Sequence, residues 1–129
     1  QLTWKGQACF SIIVQRSKQE QIKIVIDPFD PTFVGLKMPS SEADIVLVTH
    51  DHEDHNNVKI VKNSALSADK APFVITQPGE YEVRDVFILG ISSSGSTGIS
   101  GFANFSNVGF SFSKSSPSNF LISSLLKAI

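Results

Sequence analysis

The chain has 129 residues, of which 41% are hydrophobic and 18% are charged, and its formal net charge is -1. This length predicts one domain with a single hydrophobic core. A nearly neutral chain offers no basic field to a phosphate backbone, so nucleic-acid binding by bulk electrostatics has no support. No apolar run approaches the roughly 20 residues that cross a bilayer, so we expect no membrane segment.

The cysteine content and the N-terminal sequence indicate the cellular compartment of the chain. Cys9 is the only cysteine, which excludes an internal disulfide and favours a reducing compartment. The opening sequence QLTWKGQACF lacks the basic and apolar regions of a signal peptide, so a cytoplasmic location is expected. The missing initial Met indicates a processed or trimmed chain.

The first half of the chain predicts strands joined by one irregular connection. Two β-rich runs flank the polar residues SKQEQ between residues 8 and 27, which predicts a hairpin whose second strand stops at Asp27-Pro28. Residues 28–42 hold three prolines and a glycine and predict an irregular segment. The apolar run IVLV at residues 45–48 then predicts a strand buried on both faces of a sheet.

A short helix is predicted next, over VKIVKN at residues 58–63, with Asn56 or Asn57 as its cap. Residues 71–92 return to a β pattern. They indicate short strands that are broken at a turn formed by Gln77-Pro78-Gly79.

The composition changes near residue 92. Residues 92–129 are dominated by Ser, Gly, Asn and Phe, and their only charged side chains are Lys114 and Lys127. The alternating GFSFSKS permits a strand and NFLISSLLKAI permits a short amphipathic helix, but such a composition is more often disordered. We therefore predict an ordered region at residues 1–91 and a divergent, poorly defined Ser/Gly/Phe-rich tail at residues 92–129.

All three histidines of the chain fall in THDHEDH, residues 49–55, directly after the predicted buried strand. Residues two apart in an extended segment point the same way, so His50 and His52 can present two imidazoles to one ion. Asp54 and His55 follow after one spacer and can turn toward a neighbouring point, which allows a second metal position. Imidazole and carboxylate ligands suit Zn²⁺, Mn²⁺ or Fe²⁺.

Two other interpretations compete with a metal site. A polar loop of this kind can be a solvated turn without function, but its place after a buried strand and the lack of histidine elsewhere favour metal binding. A His-x-His sequence at a strand end also occurs in amidohydrolase barrels, which need roughly 250 residues and do not fit this length. Asp51 and Glu53, at the intervening positions, are expected to orient the ligands or to face solvent.

The pattern His50-x-His52-x-Asp54-His55 after ADIVLVT resembles the HxHxDH signature of the metallo-β-lactamase superfamily. Other segments of the chain, namely LTWKGQACFSI, IVIDPFDP, VGLKMP and FVITQPGEYEVRDVFILGI, are similar to bacterial and archaeal Zn-dependent hydrolases related to ascorbate-phosphate lactonases. The resemblance covers about residues 1 to 91.

This resemblance implies an α/β fold of the α+β kind, half of an αββα sandwich with mostly β-strands and one or two short helices. It implies up to two ions in an intact relative, Zn²⁺ or alternatively Mn²⁺ or Fe²⁺. The metal ligands matched by position are His50, His52, Asp54 and His55. Asp54 also matches the catalytic residue that orients the nucleophile. Asp27 matches an early aspartate that supports the metal loop from outside the ligands, although a plain Asp-Pro strand stop is equally compatible.

The implied activity is metal-dependent hydrolysis, in which metal-bound water attacks an ester, lactone or phosphoester of a small-molecule substrate. Relatives take further ligands from their second half, whereas this chain has no His after His55 and no Asp or Glu after Asp85. We therefore expect a hydrolase that is truncated and impaired, through truncation, frameshift or fragmentation. The alternative is a non-catalytic remnant that binds metal or a partner, and a homo-oligomer stays open. Cys9 is expected to be a buried structural thiol.

Overall fold

The computed structural model describes residues 1–64, 71–94 and 106–114, with the backbone alone for residues 93–94 and 106–114. It contains two compact units, one at residues 1–76 and one from residue 77 onward. The elements of the first unit are β1 (Leu2–Gly6), β2 (Cys9–Gln15), β3 (Gln21–Ile26), α1 (Pro31–Val34), β4 (Ser41–Ala43), β5 (Ile45–Leu47), a 3₁₀ turn (Val58–Ile60), β6 (Val61–Asn63) and β7 (Phe73–Ile75). Those of the second are β8 (Gly79–Val83), β9 (Val86–Ser94) and β10 (Ser106–Lys114).

The first unit is built on a mixed five-stranded sheet with the order β1-β2-β3-β5-β7. Strands β1, β2 and β3 pair antiparallel, so the predicted hairpin is confirmed as β2 and β3. Strand β5 lies between β3 and β7 and runs parallel to both. A separate parallel pair, β4 with β6, completes the strands of this unit.

Both faces of the central strands are buried. Val25 and Val46 lie on one face, in a hydrophobic core cluster that also contains Cys9, Phe29, Met38, Ala43, Val48 and Val61. The residues that alternate with them, including Ile24 and Leu47, are fully buried as well. The prediction that the run before the histidines is a strand buried on both faces is therefore confirmed.

The connection after β3 is more regular than predicted. Residues 31–34 form a single helical turn, with Asp30 at the N-cap and Pro31 at the first position. Gly35 ends the turn in the left-handed conformation, with φ of 74°. This arrangement of Asp, Pro and Gly is a known signal for helix ends, and it was present in a segment predicted to be irregular.

The predicted helix over residues 58–63 is wrong in its extent. Val58–Ile60 is a 3₁₀ turn, and the chain then continues as strand β6. Asn57 occupies the cap position, but its side chain makes no capping hydrogen bond and its Nδ2 donates to the Phe29 carbonyl instead at 3.4 Å. Pairing of β6 with β4 overrides the local apolar spacing that favoured a helix.

The second unit contains an antiparallel sheet with the order β10-β9-β8. Val86 and Ile88 of β9 are buried, whereas Phe87, Leu89 and Ile91 are 41–47% exposed. Strand β10 pairs along the whole of β9 and includes most of GFSFSKS, so the strand alternative holds for this stretch. The predicted helix NFLISSLLKAI lies outside the described residues, and the division at residue 91 stays a prediction.

These elements give an α/β fold of mostly strands with one short α-helix among the described residues, as predicted for a partial αββα sandwich. In the part of the chain that the structure describes, no helix has the length and apolar character to cross a bilayer.

Candidate functional site

The histidine loop starts at the edge of the sheet where parallel strands end together. Asp27 directly follows β3, and its backbone N–H donates to the Leu47 carbonyl at the end of β5 at 2.9 Å. The Val48 N–H in turn donates to the Ile75 carbonyl of β7 at 2.9 Å. Because three neighbouring strands are tied together here, the loop that follows β5 departs from a fixed position.

Asp27 braces the start of this loop. Its carboxylate is 2% exposed and accepts hydrogen bonds from the Thr49 N–H and the Thr49 Oγ1, each at 2.8 Å. The backbone of Asp27 has φ of 47°, in the left-handed region that side-chain-bearing residues seldom adopt. A buried carboxylate held in such a conformation is costly and is commonly found at functional sites. The structure therefore gives Asp27 a bracing contact with the loop beyond ending a strand.

The hydrogen bonds of Thr49 determine which nitrogen of His50 is protonated. The hydroxyl donates its one proton to Asp27 Oδ2, and it lies 3.0 Å from His50 Nδ1. The hydroxyl can therefore only accept from His50, so Nδ1 carries the imidazole proton and Nε2 presents a lone pair. Partial burial lowers the pKa of His50, and the nearby His55 and His52 lower it further, which favours this neutral form.

His55 is the buried member of the cluster, 7% exposed, and it contacts two carboxylates. Its Nδ1 lies 3.1 Å from Asp27 Oδ2, and its Nε2 lies 3.4 Å from Asp54 Oδ2. Nδ1 has no hydrogen-bond partner of good geometry among the described residues, although the Asp27 carboxylate lies close to it. Burial pulls the pKa of His55 down, but Asp27 and Asp54 outweigh burial and leave the pKa raised.

The three imidazoles are brought together. The ring centroid of His50 lies 4.0 Å from that of His55 and 4.8 Å from that of His52. His52 is exposed, and Asp54 is partly buried. Asp54 Oδ2 also accepts from Gln7 Nε2 at 3.3 Å, which links the loop to the start of β2. The structure thus gathers all four predicted ligand residues in one place.

Backbone hydrogen bonds fold the loop into a compact turn. The His52 carbonyl accepts from the N–H groups of His55 and Asn56, both at 2.9 Å. The Asn57 N–H donates to the Pro28 carbonyl at 2.7 Å, which fastens the end of the loop to the segment after β3. These hydrogen bonds hold the loop in a defined conformation on the first unit.

The donors match a transition metal in kind but do not yet converge on one. Imidazole nitrogens and a carboxylate suit Zn²⁺, and the His50 lone pair is oriented by Thr49 in the way that metal-binding histidines usually are. Within the residues that the structure describes, however, no set of three His, Cys, Asp or Glu side chains is arranged to hold one ion. The loop would therefore have to rearrange for these side chains to hold one ion.

Two contributors to the site were not predicted from the sequence. Thr49 precedes the histidines, but its part depends on Asp27, which lies 22 positions away. Gln7 reaches Asp54 over 47 positions, and no local sequence signal indicates this contact. Asp51 and Glu53 are exposed, and Asp51 accepts from Asn56 Nδ2 at 2.5 Å.

Cys9 lies in the hydrophobic core, as predicted. Burial, with a smaller effect of the charge on Asp27, raises the pKa of its thiol to about 12. The thiol is therefore protonated at neutral pH and is a poor metal ligand.

Two clefts lie on the first unit. One, of about 340 Å³, adjoins the histidine loop. The other, of about 320 Å³, lies over β2 and β3, where Lys23 and Glu42 form an ion pair at 3.2 Å. None of the four predicted ligands lines the second cleft, whereas His52 and Asp54 line the first.

Comparison with known proteins also bears on the chemistry of the histidine loop. Residues 1–118 match the sequence model of the β-lactamase superfamily domain. A metal-dependent hydrolase of Methanoculleus marisnigri is 50% identical over 54 residues, which are 42% of this chain and 20% of the relative. One of Thermoplasma acidophilum is 36% identical over 67 residues, 49% of this chain and 27% of the relative.

Among solved structures, a similar fold occurs in a Thermotoga maritima protein described as a candidate Zn-dependent hydrolase of the metallo-β-lactamase superfamily. The TM-score is 0.57 and the sequences are 32% identical, over 88% of this chain and 44% of that protein. The chain therefore spans less than half the length of that protein, and its alignments cover about a quarter or less of the two curated relatives.

Proposed function

The chain belongs to the β-lactamase superfamily domain family, and on that premise we propose that it contributes the histidine-loop half of a metal-dependent hydrolase site. The observation that carries this proposal is the cluster of three imidazoles on a loop fixed by Asp27. A bound divalent ion would lower the pKa of a water ligand and polarise an ester, lactone or phosphoester substrate. Zn²⁺ is the expected ion, with Mn²⁺ or Fe²⁺ as alternatives.

In this proposal each side chain has a distinct part. The neutral His50 offers Nε2, and His52 stands beside it at the open side of the loop. Asp54 and His55 form the second donor pair, and their near atoms are 3.4 Å apart. Asp54 would also orient the attacking water, because its carboxylate is only partly buried and lies beside His55.

Asp27 acts from behind the donors. Its hydrogen bonds to Thr49 fix the protonated nitrogen of His50, and its charge holds His55 in the buried position. Such supporting contacts commonly account for tenfold or more in metal affinity. We therefore assign Asp27 a positioning role and not a ligand role.

A second candidate function is a non-catalytic remnant that binds metal weakly or binds a partner. One observation favours it: the described residues do not bring three donors to one ion. The two functions share the first step, metal binding, and differ in the second, hydrolysis.

Metal binding is tested on the full chain with His52→Ala and with Asp51→Ala as a matched control from the same exposed loop. We expect the parent to retain Zn²⁺ after dialysis. The loss in affinity on His52→Ala should reach at least the roughly tenfold that removal of a supporting group causes, and Asp51→Ala should stay close to the parent. Elemental analysis that finds no zinc in the parent, or equal loss in both variants, contradicts the site.

Hydrolysis separates the two candidate functions. With Zn²⁺ or Mn²⁺ supplied, we expect the parent to cleave lactone and phosphodiester test substrates no faster than the His50→Ala/His52→Ala variant. A clear difference in rate between the two would instead favour the hydrolase and indicate that the site is completed from elsewhere, such as by a partner chain.

A further inference from the structure

The cleft over β2 and β3 is lined by side chains that the proposed hydrolase site does not use. Its volume is about 320 Å³, at the low end of the clefts that hold small molecules. The aliphatic part of its lining includes Ile13 and Val25, and the charged part consists of Lys5, Lys23 and Glu42. A cleft with both kinds of surface can hold a ligand that has a charged end and an apolar body.

A β-bulge carries Lys5 to this cleft. Trp4 lies opposite Phe10 and Gly6 lies opposite Cys9, so Lys5 is the extra residue of β1 at this point. A bulge bends its strand and re-aims the side chain that it carries. Burial raises the pKa of the Cys9 thiol, and the positive charge of Lys5 opposes that rise. The Lys5 ammonium therefore lies over the sheet, near the core that contains Cys9.

Lys5 and Ser11 supply hydrogen-bond donors that have no acceptor in the described part of the chain. Lys5 is half-buried, and within residues 1–64, 71–94 and 106–114 its ammonium pairs with no carboxylate. Ser11 lies on the neighbouring strand and is half-buried too, and its hydroxyl has no hydrogen-bond partner in the same residues. A partly desolvated ammonium gains free energy when an anion accepts its hydrogen bonds.

The other charged groups of the lining are paired with each other. Lys23 Nζ lies 3.2 Å from Glu42 Oε2. The backbone beneath this pair is fixed, because the Lys23 N–H donates to Asp44 Oδ2 and the Asp44 N–H donates to the Lys23 carbonyl, both at 2.8 Å. Asp44 is buried and does not line the cleft. Lys5 thus stays as the charged group of the lining that no described residue compensates.

The charges of the lining match an anion with one negative charge. Two ammonium groups and one carboxylate line the cleft, which leaves one positive charge over. The carboxylate of a ligand neutralises that charge. The second negative charge of a phosphate monoester would instead meet the Glu42 carboxylate within a small cleft. Like charges repel there even in physiological salt, because screening acts only beyond about 8 Å.

We propose that this cleft binds a small carboxylic acid in its ionised form. The carboxylate accepts from Lys5 and Ser11, and the apolar body of the ligand lies along Ile13 and Val25. The site belongs to the face of strands β1 to β3, whereas the candidate metal donors lie on the loop after β5. It therefore goes beyond the proposed function, and it can be occupied whether or not the histidine loop holds a metal.

The test is a titration of the full chain followed by amide NMR shifts. EDTA treatment and dialysis into metal-free Tris buffer come first, so that no carboxylate binds through a metal ion. The probes are benzoate, benzamide as its uncharged analogue, and phenyl phosphate, which has the same ring and carries close to two negative charges at neutral pH. The variants are Lys5→Gln, Lys5→Arg, Ser11→Ala and Glu42→Gln. Lys18→Gln is the control, because Lys18 is exposed and does not line the cleft.

We expect benzoate to give saturable shifts at the amides of the cleft and to bind more tightly than the other two probes. Lys5→Gln should weaken benzoate binding by about threefold to tenfold, between the effect of an exposed ion pair and that of a buried charged hydrogen bond. Lys5→Arg and Lys18→Gln should leave it unchanged. Ser11→Ala should weaken it by about twofold to fivefold. Glu42→Gln should tighten phenyl phosphate more than benzoate, because it removes the charge that repels the second negative charge.

The absence of saturable benzoate shifts at the cleft overturns this inference. Benzamide or phenyl phosphate binding to the parent as tightly as benzoate does so as well. Equal weakening by Lys5→Gln and Lys18→Gln would mean that only the overall charge of the chain matters, and it also contradicts the site. Because the samples contain no metal, none of these outcomes bears on the proposed function. Amide spectra of the variants establish that each is folded like the parent.

Discussion

Strand β5 of the first unit and strand β9 of the second unit differ in how many of their faces are buried. Every side chain of β5 is fully buried, namely those of Ile45, Val46 and Leu47. Strand β9 alternates, since Val86 and Ile88 are buried while Phe87 and Leu89 are each 41% exposed. The first strand is bounded by apolar contacts on both sides, and the second on one side.

This difference matches where the chemistry-bearing residues lie. The histidine loop follows β5, and the brace Asp27 follows its neighbour β3. No His occurs after residue 55 and no Asp or Glu after Asp85. A strand that is packed on both faces fixes the starting point of its loop, which is what a cluster of metal ligands requires. The chain thus combines a histidine loop that follows a fully buried strand with a later strand in which Phe87, Leu89 and Ile91 are partly exposed.

The largest effect that tests this comparison comes from the same substitution at two leucines. Leu47→Ala in β5 should lower the free energy of unfolding by about 3 kcal/mol, because it leaves a cavity in a fully buried strand. Leu89→Ala in β9 should cost less than about 1 kcal/mol, because that side chain is already partly solvated. Urea unfolding followed by circular dichroism measures both. Similar losses would mean that the two strands are equally buried in solution.

An intermediate effect is expected at the brace of the loop. Asp27→Ala removes the acceptor of the Thr49 N–H and hydroxyl, and an unsatisfied buried donor costs about 2 kcal/mol. Asp51→Ala, on the exposed side of the loop, is the matched control and should be nearly neutral. The unfolding free energy in EDTA is the measurement, together with the Thr49 amide shift. A neutral Asp27→Ala would show that the loop keeps its position without the brace.

The smallest effect concerns pH. The pKa of His55 is raised above its ordinary value of 6.5, so the stability it contributes is present below pH 6.5 and is lost as the pH rises through the raised pKa. His55→Gln should therefore cost more stability at pH 5.5 than at pH 8.5, in EDTA. The pKa of His50 is lowered, so His50→Gln should show the reverse order.

Denaturant melts of parent and both variants at the two pH values make this comparison. The same pH trend in both variants would mean that the two carboxylates near His55 do not govern its protonation.

The sequence predicted the strand before the histidines better than the segments around it. A continuous β-branched run marks a buried strand regardless of what surrounds it, and the histidines are adjacent to that run, so their place at the end of a buried strand followed from local pattern. The hairpin of β2 and β3 was equally local. In contrast, the VKIVKN segment has helical spacing but pairs as β6 with β4, a contact between distant residues that local propensity cannot show.

The parts of the candidate site that were not predicted also depend on contacts between residues far apart in the sequence. Thr49 gains its role from Asp27, and Asp54 gains Gln7 as a neighbour, in each case through strands that meet only in the folded sheet. The helical turn after β3 is different, because Asp30, Pro31 and Gly35 are local sequence signals for its two ends. The prolines of that segment do not prevent the turn, because Pro31 occupies the first helical position, where its missing N–H is not needed.

The left-handed backbone of Asp27 restricts what a randomised codon can supply at this position. Glycine accepts the backbone angle but provides no acceptor for Thr49, and glutamate provides an acceptor on a longer arm without the tolerance of that angle. Asparagine meets the backbone requirement and keeps one acceptor oxygen, yet it carries no charge for His55. In a saturation library sorted by zinc retention, the position should therefore tolerate aspartate fully, asparagine in part and other residues poorly.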